Sequence, residues 1–129
     1  MREITSHRVN DCNSVLRVIA EDEPGSGGAC HKYHIAQDGT KAVGGGPAAP
    51  GFCYAIGFQN GPIKEVGVNG ITHEALLAIL IDRLEAFQRG PYAHAYNSDA
   101  LKSLMSAAAS LGQRTRDRLH RGVEGTHEV

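Results

Sequence analysis

Across residues 58–87 the apolar pattern of this chain changes period, and that change constrains the fold more than any other feature. Upstream, residues 30–37 and 52–59 alternate with a period near two. His31, Tyr33 and Ile35 share one face of the first run; Phe52, Tyr54, Ile56 and Phe58 share one face of the second. Downstream, Leu76, Leu77, Leu80, Ile81, Leu84 and Phe87 recur at helical spacing. Between the two lie Asn60-Gly61-Pro62 and Asn69-Gly70. Asn-Gly tolerates positive φ and proline fixes φ, so the backbone must change direction there. The expected fold class is α+β: a small N-terminal antiparallel β-sheet over residues 1–71, then a C-terminal antiparallel two-helix hairpin and tail over 72–129, in one compact domain.

Strands are expected within residues 1–9, 14–22, 30–37 and 52–59, with a turn at 10–14 and loops at 23–29 and 43–51. The Gly- and Pro-rich loop 43–51 cannot pack a core and reads as a linker, lobe or lid. Thr72 is the expected N-cap of the first helix, with Glu74 in its first turn and Gly90-Pro91 as its stop. The second helix is expected from about Asn97-Ser98-Asp99 to His120, with Leu101, Leu104, Met105, Ala108 and Leu111 as its apolar face. Gly112 in its interior costs about 1 kcal/mol relative to Ala, which implies tight packing at that point.

With 129 residues, 41% apolar, sixteen glycines and no tryptophan, the core is modest, and oligomerisation is expected to supply part of it. A net charge of −1 rules out a whole-molecule electrostatic trap for polymeric nucleic acid, so any anion site must be local. Cys12, Cys30 and Cys53 lack zinc spacing and are odd in number; they are expected as small buried or half-buried residues in strands. The polar, charged first eight residues do not read as a signal peptide, and no apolar run is long enough to span a bilayer, so the chain is expected in the cytoplasm.

Catalytic and metal motifs are weak. His31 and His34 fall on opposite strand faces, His73-Glu74 lacks the second His of a helical zinc motif, and Gly44-Gly45-Gly46 precedes proline rather than the Lys of a phosphate loop. No metal, cofactor or catalytic residue is expected. Binding candidates are clearer. Arg114, Arg118 and Arg121 are spaced by four and three on the second helix and can grip phosphate oxygens, or simply complement the helix dipole. Taken alone, Phe87 reads as core and Asn97 as a helix cap. His31, Tyr33, Tyr54 and Lys64 are candidates for an opposing wall, although strand aromatics more often face a core. The closing residues 121–127, with two glycines and no helical period, read as a frayed tail.

FQNGPIKEVGVNGITHEALL, RLEAFQRG, Asn97 and RTRDRLHRGVEGTH, in that order across residues 54–127, resemble the phage anti-Thoeris family, which shares a helical hairpin with phage anti-CBASS nucleotide sponges. The resemblance implies a phage protein, working in the bacterial cytoplasm, that sequesters intact cyclic nucleotide messengers and so keeps a host effector off. It implies a homo-oligomer, a dimer or hexamer. It implies a site for cyclic ADP-ribose isomers built on Phe87 and Asn97, with Tyr92 standing where the family has Phe, and a cyclic di- or trinucleotide site on Arg114 and Arg118. His94 and Tyr96 depart from the family pattern. The alternatives are a module that docks on a defence enzyme and a cyclic-nucleotide phosphodiesterase.

Overall fold

The computed structural model describes residues 1–39, 46–47 and 49–129; residues 43–45 and 48 of the expected 43–51 loop lie outside them. The fold is α+β, and the chain divides into two compact units, Met1–Asn60 and Gly61–Val129.

The first unit is a four-stranded antiparallel sheet in sequence order: β1 (Arg2–Ile4), β2 (Arg17–Ala20), β3 (Lys32–Gln37) and β4 (Phe52–Gly57). A four-residue helix, α1 (Asp11–Ser14), replaces the expected turn, because the Asn10 side chain accepts from Asn13 N at 3.0 Å and caps it. Register follows the alternation. Val18 pairs with Ile35 and Ile35 with Tyr54; Ala20 pairs with Tyr33 and Tyr33 with Ile56, so these apolar residues share one face. The other face carries ion pairs, Glu3 with Arg8 and Arg17, and Glu21 with His34. Among the described residues only Ile19 and Ala20 are apolar and buried, which is a small core for a sheet. The cysteines correct an expectation: Cys12 is exposed in α1, Cys53 is exposed on β4, and only Cys30 is half-buried, its thiol donating to the Asp22 carbonyl.

Asp22 organises the β2–β3 connection. Its carboxylate accepts from Lys32 N at 3.0 Å and from His31 N at 3.0 and 3.1 Å. These amides, the Lys32 one foremost, hold the Asp22 carboxyl below its ordinary range. Glu3 is lowered likewise, chiefly by its hydrogen bond from Arg8.

The second unit contains α2 (Ile63–Val66), α3 (His73–Gln88) and α4 (Ala95–Arg121). The structure therefore groups residues 61–71 with the helices, whereas the sequence reading placed them with the sheet; α2 is bonded to the tail, as described below. Thr72 caps α3 as expected, accepting from Ala75 N at 3.2 Å. The α3–α4 hairpin buries a seam with alternating four- and three-residue steps on α4: Asn97, Leu101, Leu104, Ala108, Leu111, Thr115 and Arg118. That 3.5-residue period is the signature of two helices packed side by side. The leucines are half-buried, so each contributes less than the ~1.5–3 kcal/mol of a fully buried one. Met105, expected on this face, is 43% exposed. Gly112 also departs from expectation: the nearest atoms to a Cβ there belong to Arg116 of its own helix, not to a tightly packed neighbour. Among the described residues, no helix is long and apolar enough to cross a membrane.

Candidate nucleotide site at the hairpin tip

The turn between α3 and α4 is held by side chains on both sides of it. Gln88, the last residue of α3, donates from Nε2 to the His94 carbonyl at 3.1 Å and accepts from His94 N at 3.0 Å. His94 then caps α4 by accepting from Tyr96 N at 3.1 Å, and its ring stacks on Tyr96 at 5.2 Å. Helix α4 thus begins two residues earlier than expected, because a ring nitrogen of His94 supplies the cap in place of Asn97. Asn97 instead lies in the first turn and donates from Nδ2 to the Tyr92 carbonyl at 3.2 Å. Proline at 91 offers no N–H to extend α3.

Held this way, the tip forms an open concavity of about 380 Å³. Phe87 and Tyr92 supply its rings, Asp82 and Arg83 its charges, and Ala86 with Gly90-Pro91 the remaining wall. Phe87 is 41% exposed and Tyr92 74% exposed, so Phe87 is not the core residue its helical spacing allows. The Arg83 guanidinium sits over the Phe87 ring, 5.7 Å from its centroid. A ring with a free edge, a second ring across a turn, a fixed amide behind them and one charge of each sign suit a nucleotide: base on the aromatics, phosphate on the guanidinium, hydroxyls on the carboxylate. Asp82 and Arg83 carry no motif of their own. Their signal in the sequence is spacing, since Arg83 precedes Phe87 by four residues and shares its helix face.

The arginines of α4 are disposed differently from one another. Arg114 is exposed and makes no hydrogen bond or ion pair among the described residues. Arg121 pairs with Asp117 at 3.1 Å and donates to the Val129 carbonyl at 3.0 Å. Arg118, at the end of the buried seam, is 7% exposed. Its guanidinium donates to the Glu124 carboxylate at 3.0 Å and to the carbonyls of Val123, Thr126 and Glu128 at 3.0, 3.3 and 2.7 Å. The closing segment is therefore not frayed but folded back as a strap. Gly122, at φ 73°, ends α4 in the left-handed region and reverses the chain. The Gly125 carbonyl accepts from Lys64 N at 3.1 Å, and His127 meets Glu65 at 2.9 Å. Helical periodicity cannot reveal this segment, because a strap held by side chain-to-carbonyl bonds has none.

The remaining candidates belong to the sheet unit, apart from Lys64, which lies exposed in α2. His31 is 7% exposed, and its Nδ1 is buried without a hydrogen-bond partner. Tyr33 is half-buried, edge-on to Phe58 at 5.7 Å. Tyr54 is 64% exposed and leans on Phe52 at 5.3 Å.

Known proteins share the hairpin. The family described as Acb2/Tad1, hairpin domain, matches residues 54–116. Thoeris anti-defense 1 of Bacillus phage SBSphiJ7 is 44% identical over 73 residues, which are 57% of this chain and 51% of that protein. The chain thus spans about half the length of the relative it matches. The matched segment holds α3, the tip and α4 as far as residue 116, so the hairpin of this chain is similar to that of the Acb2/Tad1 family.

Proposed function

We propose that this chain is a phage anti-defence protein that captures an intact cyclic nucleotide messenger at the hairpin tip and withholds it from a host effector. The observation that carries this reading is the pairing of the exposed Phe87 and Tyr92 rings with Arg83 and Asp82 in one concavity, the Tyr92 carbonyl being held by the Asn97 amide. The names of the family and of its phage relative support the anti-defence role. Capture rather than cleavage fits the lining, which offers a single carboxylate and no histidine or cysteine for acid–base or nucleophilic work. The ligand class is the cyclic ADP-ribose isomers, whose adenine stacks and whose bridging phosphates meet a guanidinium.

A sponge wins by mass action, so its dissociation constant must lie well below that of the effector. Assembly of copies would slow release, and the small apolar core together with exposed Ile79, Leu80 and Met105 supports a homo-oligomer, a dimer or hexamer. A second site for cyclic di- or trinucleotides would draw on Arg114 of several copies, with Arg118 and Arg121 contributing only on release from the strap.

Capture and release tests the reading. The protein is mixed with a cyclic ADP-ribose isomer and, separately, with a cyclic trinucleotide; free ligand is removed, the protein is heat-denatured, and the supernatant is identified by mass spectrometry. Intact ligand at a fixed ratio to protein is the expected result. Cleaved product beyond one equivalent would make the chain an enzyme. No capture would favour a module that binds a defence protein through the exposed β4 aromatics Phe52 and Tyr54.

A further inference from the structure

The tip contains a carboxylate that a purely phosphate-seeking site would exclude. Asp82 lies one helical turn before Ala86, on the wall of the concavity, next to Arg83. Neither Asp82 nor Arg83 forms a hydrogen bond or ion pair with any described residue, so the carboxylate is not neutralised by its neighbour. Arg83 is turned instead onto the Phe87 ring, 5.7 Å from its centroid. The two charges therefore present separate chemistries to a ligand: an anion receptor beside the stacking ring, and an acceptor-only group beside it.

We infer that Asp82 is the specificity residue of this site, accepting the hydroxyls of a ribose and rejecting a ligand that carries a phosphate in their place. An ionised carboxylate can accept from two vicinal hydroxyls at once, whereas a phosphate there would bring two anions together in a partly enclosed space. Dinucleotide-binding folds use the same logic, with an acidic residue for a free ribose 2′-hydroxyl and an Arg for a 2′-phosphate. Arg83 does not substitute for that Arg, because its guanidinium lies over Phe87, beside the ring assigned to the base. The chain would thus take messengers made from the unphosphorylated nicotinamide dinucleotide and discriminate against those made from its 2′-phosphate.

This inference rests on the nucleotide-capture reading, and its test separates the two. Cyclic ADP-ribose and its 2′-phosphate are titrated calorimetrically into the wild-type protein, Asp82→Asn, Asp82→Ser and Phe87→Ala. Asp82 is exposed, and both of its variants are checked for unchanged circular dichroism. The wild type is expected to prefer the unphosphorylated ligand by about tenfold or more, and both Asp82 variants to reduce that ratio to about threefold or less. Phe87→Ala is expected to lose both ligands. A ratio in both Asp82 variants equal to the wild type's, with Phe87→Ala still defective, would overturn the Asp82 assignment alone. A wild type that binds neither ligand would overturn the assignment together with the capture reading for this ligand class.

Discussion

Arg118→Ala should detach the strap and destabilise the helical unit by about 2–4 kcal/mol. The magnitude comes from what the side chain holds. Four acceptors surround a guanidinium that is 9% exposed, and a hydrogen bond from a charged donor contributes about 1.5–3 kcal/mol. Their sum is not the answer, because a released strap returns its carbonyls to water. Glu124 is already 31% exposed in the folded chain, so its unpaired charge costs less than a fully buried one. The loss is therefore capped at the free energy of docking the strap. Beyond Arg118, the strap keeps the Lys64–Gly125 backbone bond, the exposed His127–Glu65 pair and the contact of Gly125 with Ile63. With a urea m-value of about 2 kcal/mol/M, the midpoint should fall by about 1–2 M. Arg118→Lys keeps the charge but loses the fork and should fall in between. Truncation after Gly122 supplies the decisive comparison: it should cost about as much as Arg118→Ala in the wild type and almost nothing more in the Arg118→Ala background. Equal truncation costs in both backgrounds, or a midpoint shift in Arg118→Ala below about 0.3 M, would refute the clamp.

Further outcomes follow from other parts of the molecule. Gly125→Ala should lift the strap by a different route, since a Cβ there meets Ile63 Cγ1 at 2.8 Å and the residue sits at φ 79°; faster hydrogen exchange at Lys64 N–H would report it. Gln88→Ala, which removes both bonds to the His94 backbone, should weaken cyclic ADP-ribose binding while leaving the hairpin folded, as read by calorimetry beside circular dichroism. Phe87→Ala and Asn97→Ala should abolish capture of the ADP-ribose isomer and spare any cyclic trinucleotide bound at Arg114, and Arg114→Glu should do the reverse; parallel loss of both ligands in each variant would sink the two-site reading. On pH, the Asp22 and Glu3 carboxyls are lowered in the folded chain, so the stability they contribute is present above their unfolded values near pH 4 and disappears as pH falls through the lower folded ones. Asp22→Asn should therefore flatten the acid limb of a pH–stability curve, and an unaltered limb would count against the role given to its amide contacts.

Sequence alone determined the fold class and the hairpin. The change from a two-residue to a 3.6-residue period is a local property, and local properties are written in neighbouring residues. Thr72 as a cap and Gly90-Pro91 as a stop follow for the same reason: each acts on the backbone within a few residues of itself. Tertiary structure decided whatever depends on which partner a side chain finds. Asn97 could cap a helix, but His94 reached the Tyr96 amide first and left Asn97 to hold the Tyr92 carbonyl. Phe87 could fill a core, but its place at the end of the seam leaves it exposed beside Arg83. Three arginines spaced by four and three read alike on a helical wheel. The fold turns Arg118 inward to hold the strap, ties Arg121 to Asp117 and leaves Arg114 in solvent, because a guanidinium is assigned by the carbonyls and carboxylates around it, and those come from residues that only the folded chain brings near.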